Sequence, residues 1–148
     1  MKTLLLNLLV GVTLALAPQR SMAADKDDAE KAAMEIVAAL QAKQFEKLWT
    51  SLTSDLFKAK VTKDSFVANF TLGRAQLGPA GESKLIDSAY SQTDPASGFN
   101  GEIYAFNYLN SYAAGKFYER IVVVKEKDGK FRMAGLWGTP ASAPAPAK

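Results

Sequence analysis

At Glu82 the spacing of apolar residues changes from helical to alternating, which confines the chain to a helices-then-strands architecture. Upstream, Ala29, Ala32, Ala33, Ile36, Val37 and Leu40 recur three and four residues apart, behind the acids Asp25, Asp27, Asp28 and Glu30. Acids there complement the positive end of a helix macrodipole, so the pattern predicts a first helix over residues 25–44. Phe45, Leu48, Trp49 and Leu52 repeat the pattern in a shorter second helix. Thr62 is placed to cap a third, which carries Phe66, Val67, Phe70, Arg74 and Leu77 on one face and is stopped by Gly78-Pro79. Downstream, period-two segments at 84–92, 102–112, 117–126 and 131–138 read as strands. The turn residues of 94–101, Ala114-Gly115 and Asp128-Gly129 separate them. Three N-terminal helices packed on a four-stranded antiparallel meander make an α+β layered domain.

The turns set the expected registers. A two-residue loop at Ala114-Gly115 pairs Tyr112 with Phe117, Asn110 with Glu119 and Tyr108 with Ile121. Asp128-Gly129 admits two geometries. A type I′ loop puts Phe131, Met133 and Trp137 on the face opposite Ile121 and Val123. A type I turn with a glycine bulge instead pairs Val123 with Met133, Ile121 with Gly135 and Glu119 with Trp137. The bulge is preferred because it unites the apolar sets, which a one-residue slip scatters. The helix-facing side then carries Tyr104, Phe106, Tyr108, Asn110, Tyr112, Phe117, Glu119, Ile121, Val123, Phe131, Met133 and Trp137. The other side carries Ile103, Ala105, Leu109, Tyr118, Val122, Val124, Ala134 and Leu136, an apolar set that points to a homodimer built on that face.

The two ends of the chain are of other kinds. Lys2, the apolar run 4–17, Pro18 and the small residues of Ser21-Met22-Ala23 form the pattern of a cleavable signal peptide. Cleavage is expected after Ala23, with Ala24 as the second choice. The run falls short of the roughly 20 residues of a membrane span, so an uncleaved anchor is the lesser reading. No cysteine is present to carry a lipid, so the mature chain is expected to be periplasmic or secreted, with no membrane contact. Removing residues 1–23 takes Lys2 and Arg20 and no acid from 18 basic and 15 acidic residues, leaving 16 against 15. That balance, without a basic stripe, points away from nucleic acid. The end of the chain, 139–148, is Pro/Ala low-complexity sequence and reads as a disordered tail outside a domain at 24–138.

The chemistry is limited from the outset. The chain has neither cysteine nor histidine. That removes thiolate nucleophiles, disulfides, thiolate and imidazole metal sites and the histidine-based triad. No catalytic residue, metal or cofactor is assigned. Two charges are misfits: Arg74 on the apolar face of the third helix, and Glu119 between Phe117 and Ile121 on the apolar face of the third strand. Long charged side chains are rarely buried alone. Two readings stand: a structural ion pair that closes the core, or a pocket in which Arg74 fixes an anionic group and Glu119 is a polar anchor or base. The aromatic stripe of Tyr104, Phe106, Tyr108 and Tyr112, with Trp49 and Trp137 in reach, suits either core packing or a pocket wall. The candidate pocket residues are therefore Trp49, Arg74, Tyr104, Tyr108, Asn110, Glu119 and Trp137, and the ligand class is small and apolar or anionic. Asp87 on the first strand is a further carboxylate.

From Asp25 to Gly138 the chain resembles the bacterial family called domain of unknown function family 4019. The features that carry the resemblance are Trp49, Arg74 with Leu77-Gly78, and the tyrosines Tyr104, Tyr108 and Tyr112. Glu119 before Ile121-Val122-Val123, and Asp128-Gly129 followed by an aromatic and Ala134-Gly135, complete it. The chain departs from the family at Phe131, where Trp is commoner, and at Leu136-Trp137, where a Tyr commonly follows the glycine directly. The resemblance implies an NTF2-like (cystatin-like), cone-shaped α+β domain behind a signal peptide, and brings no activity with it. Three function classes follow: a non-catalytic ligand-binding or accessory domain, a carboxylate-based enzyme resembling ketosteroid isomerase or the polyketide cyclases, and a dimeric interaction module. In the second, Glu119 would be the base and Tyr108 or Tyr104 the donor.

Overall fold

The computed structural model describes residues 22–142. The expected signal peptide lies outside them except for Met22 and Ala23, and the expected tail lies outside from residue 143. Helix α1 (Met22–Gln41) buries Ala29, Ala33, Ile36, Val37 and Leu40, the stripe its spacing predicts. It ends at Lys43, which takes the left-handed φ of 57°. The expected second helix is split. Helix α2 (Phe45–Lys47) runs into a π-helical turn, Leu48–Leu52, and a separate short helix α3 (Asp55–Lys58) follows, capped by Ser54. The cause is tertiary. Thr53 leaves the helix to bridge Met133 on the last strand, and the Ser54 N–H donates to the Met133 carbonyl at 2.9 Å. The wider π turn lets the Thr53 hydroxyl donate to the Leu48 carbonyl at 2.9 Å. Helix α4 (Lys63–Leu77) begins at Thr62, whose hydroxyl accepts from the Ser65 N–H at 3.3 Å. Among the described residues no helix is long and apolar enough to cross a membrane.

Four antiparallel strands form an open sheet in sequence order: β1 (Ala80–Asp94), β2 (Phe99–Tyr112), β3 (Gly115–Lys125) and β4 (Phe131–Pro140). Strand β4 therefore runs two residues into the stretch read as tail. The β2–β3 register differs from expectation by two residues: Tyr112 faces Gly115, Asn110 faces Phe117 and Tyr108 faces Glu119. The turn is Ala113-Ala114, whose N–H groups donate to the carbonyls of Pro79 and Leu77 at 3.0 Å each. Docking on the end of α4 places this turn, and Gly115, which closes it opposite Tyr112, takes a φ of 132°. The neighbouring Gly78 has φ of 73° and a close approach that brings a built Cβ within 2.9 Å of the Ala113 Cβ. A two-residue slip preserves the faces, so the inward set survives it.

At the last hairpin Gly129 takes φ of 78°, and Val123 pairs with Met133 as the bulge reading requires. A second irregularity follows. The register shifts between Val122 and Val123, so Ala134 is the extra residue and Ile121 faces Leu136, Arg120 faces Trp137 and Glu119 faces Gly138. This overturns two assignments. Leu136 turns toward the helices and packs against the core, while Trp137 turns outward and is 59% exposed. The core lies between the helices and the inner sheet face, where Phe106, Ile121, Val123 and Met133 meet Ile36, Leu40, Leu48 and Phe66. An Asp25–Lys125 ion pair at 2.5 Å ties the start of α1 to the end of β3.

Candidate functional site

The inner faces of β2 and β3 put Asn110, Tyr112 and Glu119 on one patch, and α4 lays Arg74 over it. Arg74 Nη2 reaches Glu119 Oε1 at 2.6 Å, with both side chains more than nine-tenths buried. Arg74 Nη1 donates to the Tyr112 hydroxyl, which donates onward to Glu119 Oε2 at 2.8 Å. The Asn110 amide donates to the same Oε2, and the Ser83 hydroxyl of β1 donates to Asn110 Oδ1. Burial, then the negative charge of Glu119, pushes the Tyr112 phenol well above its usual range, against an opposing pull from Arg74. Both oxygens of Glu119 are thus engaged, and its charge is balanced at contact distance. A carboxylate held this way is an anchor; a general base needs an oxygen aimed at a substrate proton.

Beside this cluster a groove of about 340 Å³ opens between α4 and the β3–β4 edge. Its apolar walls are Phe70 and Leu77 of α4, Phe117 of β3 and Leu136 of β4. Among the described residues, Arg74 and Glu119 are the only charged ones lining it. Gly138 leaves its place opposite Glu119 without a side chain, and a Cβ there would sit 3.7 Å from Glu119 Oε1. A second cavity, of about 870 Å³, lies at the other end, between α3 and the β3–β4 turn. Its walls are charged, with Lys58, Lys125, Lys127, Asp128 and Arg132 among them. There Arg132 bridges Glu126 and Asp128, and Glu126 also accepts from the Asp55 N–H at 2.7 Å. Among the described residues no group of three or more acidic side chains is placed to hold a metal ion.

The seven residues singled out in the sequence are distributed over the domain. Arg74, Asn110 and Glu119 come together. Trp49 is half-buried among the helices, 5.3 Å from the Phe66 ring, and does not line the groove. Tyr104 lies toward the start of α1, its ring 4.9 Å from that of Tyr90 and tilted by 43°, with its hydroxyl 3.4 Å from the Met22 carbonyl. Tyr108 is buried with no partner for its hydroxyl among the described residues, and burial, then the charge of Glu30, pushes its phenol up to about 12. Trp137 faces away from the helices. Asp87 is exposed on β1, where Asn107 donates to it. Sequence reasoning left Tyr112 in the aromatic stripe and missed Ser83 altogether. A β2–β3 register correct by two residues was the signal needed for Tyr112, because it sets Asn110 and Tyr112 beyond Glu119 on the same face.

A model of the family described as "Protein of unknown function (DUF4019)" matches residues 32–136, and the chain belongs to that family. The match runs from the second half of α1 into β4 and includes every member of the Arg74–Glu119 cluster. No curated protein and no solved structure matches the chain.

Proposed function

We propose that this member of the family is an extracytoplasmic, non-catalytic domain of the NTF2-like (cystatin-like) type that binds a small apolar molecule in the groove beside α4. The observation that carries the reading is the pairing of apolar walls with a buried, mutually neutralised Arg74 and Glu119. Ligand pockets combine mostly apolar lining with a few placed polar groups, and volumes of roughly 300–1,000 Å³ are usual. Charge narrows the ligand class. An anion would meet an arginine whose charge is already spent on Glu119 and would face the carboxylate itself. A neutral molecule with a carbonyl or hydroxyl end accepts a remaining Arg74 N–H without that repulsion. Of the two ligand classes open at the outset, the apolar, uncharged one is favoured.

The enzyme reading is weaker on the same geometry. Three donors, Arg74, Asn110 and Tyr112, already occupy Glu119. Tyr108 and Tyr104, the donors that reading requires, have no hydrogen bond to it among those described. Native mass spectrometry of protein exported to its own periplasm tests the proposal. The expected result is a chain beginning at Ala24 with a neutral adduct that the double variant Arg74→Met/Glu119→Leu does not carry. A chain that retains Met1 overturns the compartment. An adduct-free protein that also fails to bind a neutral apolar dye overturns the binding role.

A further inference from the structure

Gly73 is a glycine that α4 does not need. It stands well inside a 15-residue helix, where glycine is among the least favourable residues. Its φ is not positive, in contrast to Gly78, Gly98, Gly101, Gly115 and Gly129. No neighbour crowds it either, since a Cβ built on Gly73 meets no heavy atom within 4 Å. Backbone conformation and close packing, the two usual reasons for glycine, are both absent. What Gly73 does have is a place on the groove wall, next in sequence to Arg74. The sheet side repeats the arrangement with Gly138, which faces Glu119 with no side chain to cover the carboxylate. Both walls are therefore bare where the groove passes over the buried ion pair.

We infer that Gly73 is the width-determining residue of the groove, its missing side chain admitting a flat or rod-shaped, uncharged apolar molecule to the Arg74–Glu119 pair. The inference rests on the binding role proposed above, and it explains the ligand's shape where that proposal explains its charge. A side chain at 73 projects into open space, so it narrows the groove without disturbing the fold.

The test uses two readouts on the mature chain. The first is fluorescence titration with N-phenyl-1-naphthylamine, a neutral apolar probe. The second is the rate at which methyl methanethiosulfonate labels Leu136→Cys, a single thiol on the groove wall of a chain that has no other cysteine. Gly73→Leu is expected to weaken probe binding and slow labelling by at least about tenfold, a change of about 1.4 kcal/mol. Ala68→Leu, on α4 outside the groove lining, is expected to leave both unchanged. Gly73→Ala is expected to raise the thermal midpoint. Binding and labelling that Gly73→Leu leaves at the Gly73 values would overturn the inference, as would a lowered midpoint in Gly73→Ala. Slowed labelling in a chain that never binds the probe would uphold the role of Gly73 and refute the binding proposal instead.

Discussion

Arg74 of α4 and Glu119 of β3 meet at 2.6 Å across the interface that closes the domain, with only 8% and 6% of their side chains exposed. Each charge was removed from water at a cost of several kcal/mol, and contact with the other offsets it. The balance is asymmetric. Glu119→Gln strands a buried guanidinium and is expected to destabilise by about 3–5 kcal/mol in urea unfolding. Arg74→Met with Glu119→Leu removes both charges but takes the acceptor from Asn110 and Tyr112, and is expected to recover part of that loss. A single and a double variant of equal stability would show that the pair does not act as a unit.

Two tyrosines on the same strand are expected to respond in opposite ways. Tyr112 joins Arg74 to Glu119, so Tyr112→Phe deprives two charged partners and should cost about 1.5–3 kcal/mol. The Tyr108 hydroxyl is buried with no partner among the described residues, so Tyr108→Phe should be neutral or stabilise by about 1 kcal/mol. The alkaline limb gives a second check. Folding raises the Tyr108 phenol from 10.0 to about 12, which favours the neutral form in the folded state. Its contribution is complete below pH 10 and disappears as pH rises from 10 toward 12. Tyr108→Phe should remove that part of the alkaline loss. Equal destabilisation by the two variants would mean that Tyr108 has a partner.

How far the sequence reading reached follows from which interactions are local. The Thr62 cap and the Gly129 turn are written in neighbouring residues and stand where the local pattern placed them, whereas the first strand already begins at Ala80, two residues before the change of period at Glu82. Arg74 and Glu119 were recognisable because a charge on an apolar face has few solutions. Trp137 was not placed correctly, because the Ala134 bulge that turns it outward leaves no mark in period-two alternation. The π turn at Leu48–Leu52 was invisible for a similar reason, since it answers a pairing between Thr53 and Met133, 80 residues along the chain. Tyr112 entered the site only through a hairpin register set by docking on α4.

The β3–β4 turn should be sensitive to acid. Hydrogen bonding by Arg132, then by the Lys130 N–H, lowers the Asp128 carboxyl from 3.8 to about 2. A depressed carboxyl adds stability above its unfolded value and loses it as pH falls through its folded one. The contribution of Asp128 is therefore complete above about pH 4 and gone near pH 2. Carbon-detected NMR should give Asp128 a titration midpoint near 2, moving up in Arg132→Gln. A wild-type midpoint at the ordinary 3.8 would refute the interaction.

Gly135 and Trp137 sit two residues apart on the outward face of the edge strand β4. The indole folds back over the glycine, and Gly135 is buried. A ring laid over an edge glycine shields exposed backbone from water and from other strands. A Cβ at position 135 would collide with the far edge of the Trp137 ring, coming within 2.6 Å of Cζ3. In Gly135→Ala the ring must therefore swing away, which uncovers both the backbone and the indole. The expected cost is about 0.5–1 kcal/mol, because the colliding atoms are the free end of an exposed side chain that can move aside. Fluorescence reads the movement directly, because Trp137 and Trp49 are the only tryptophans. In a Trp49→Phe background, Gly135→Ala should shift the remaining emission to the red and lower the unfolding midpoint. An unchanged spectrum together with an unchanged midpoint would show that the indole does not cover Gly135 in solution.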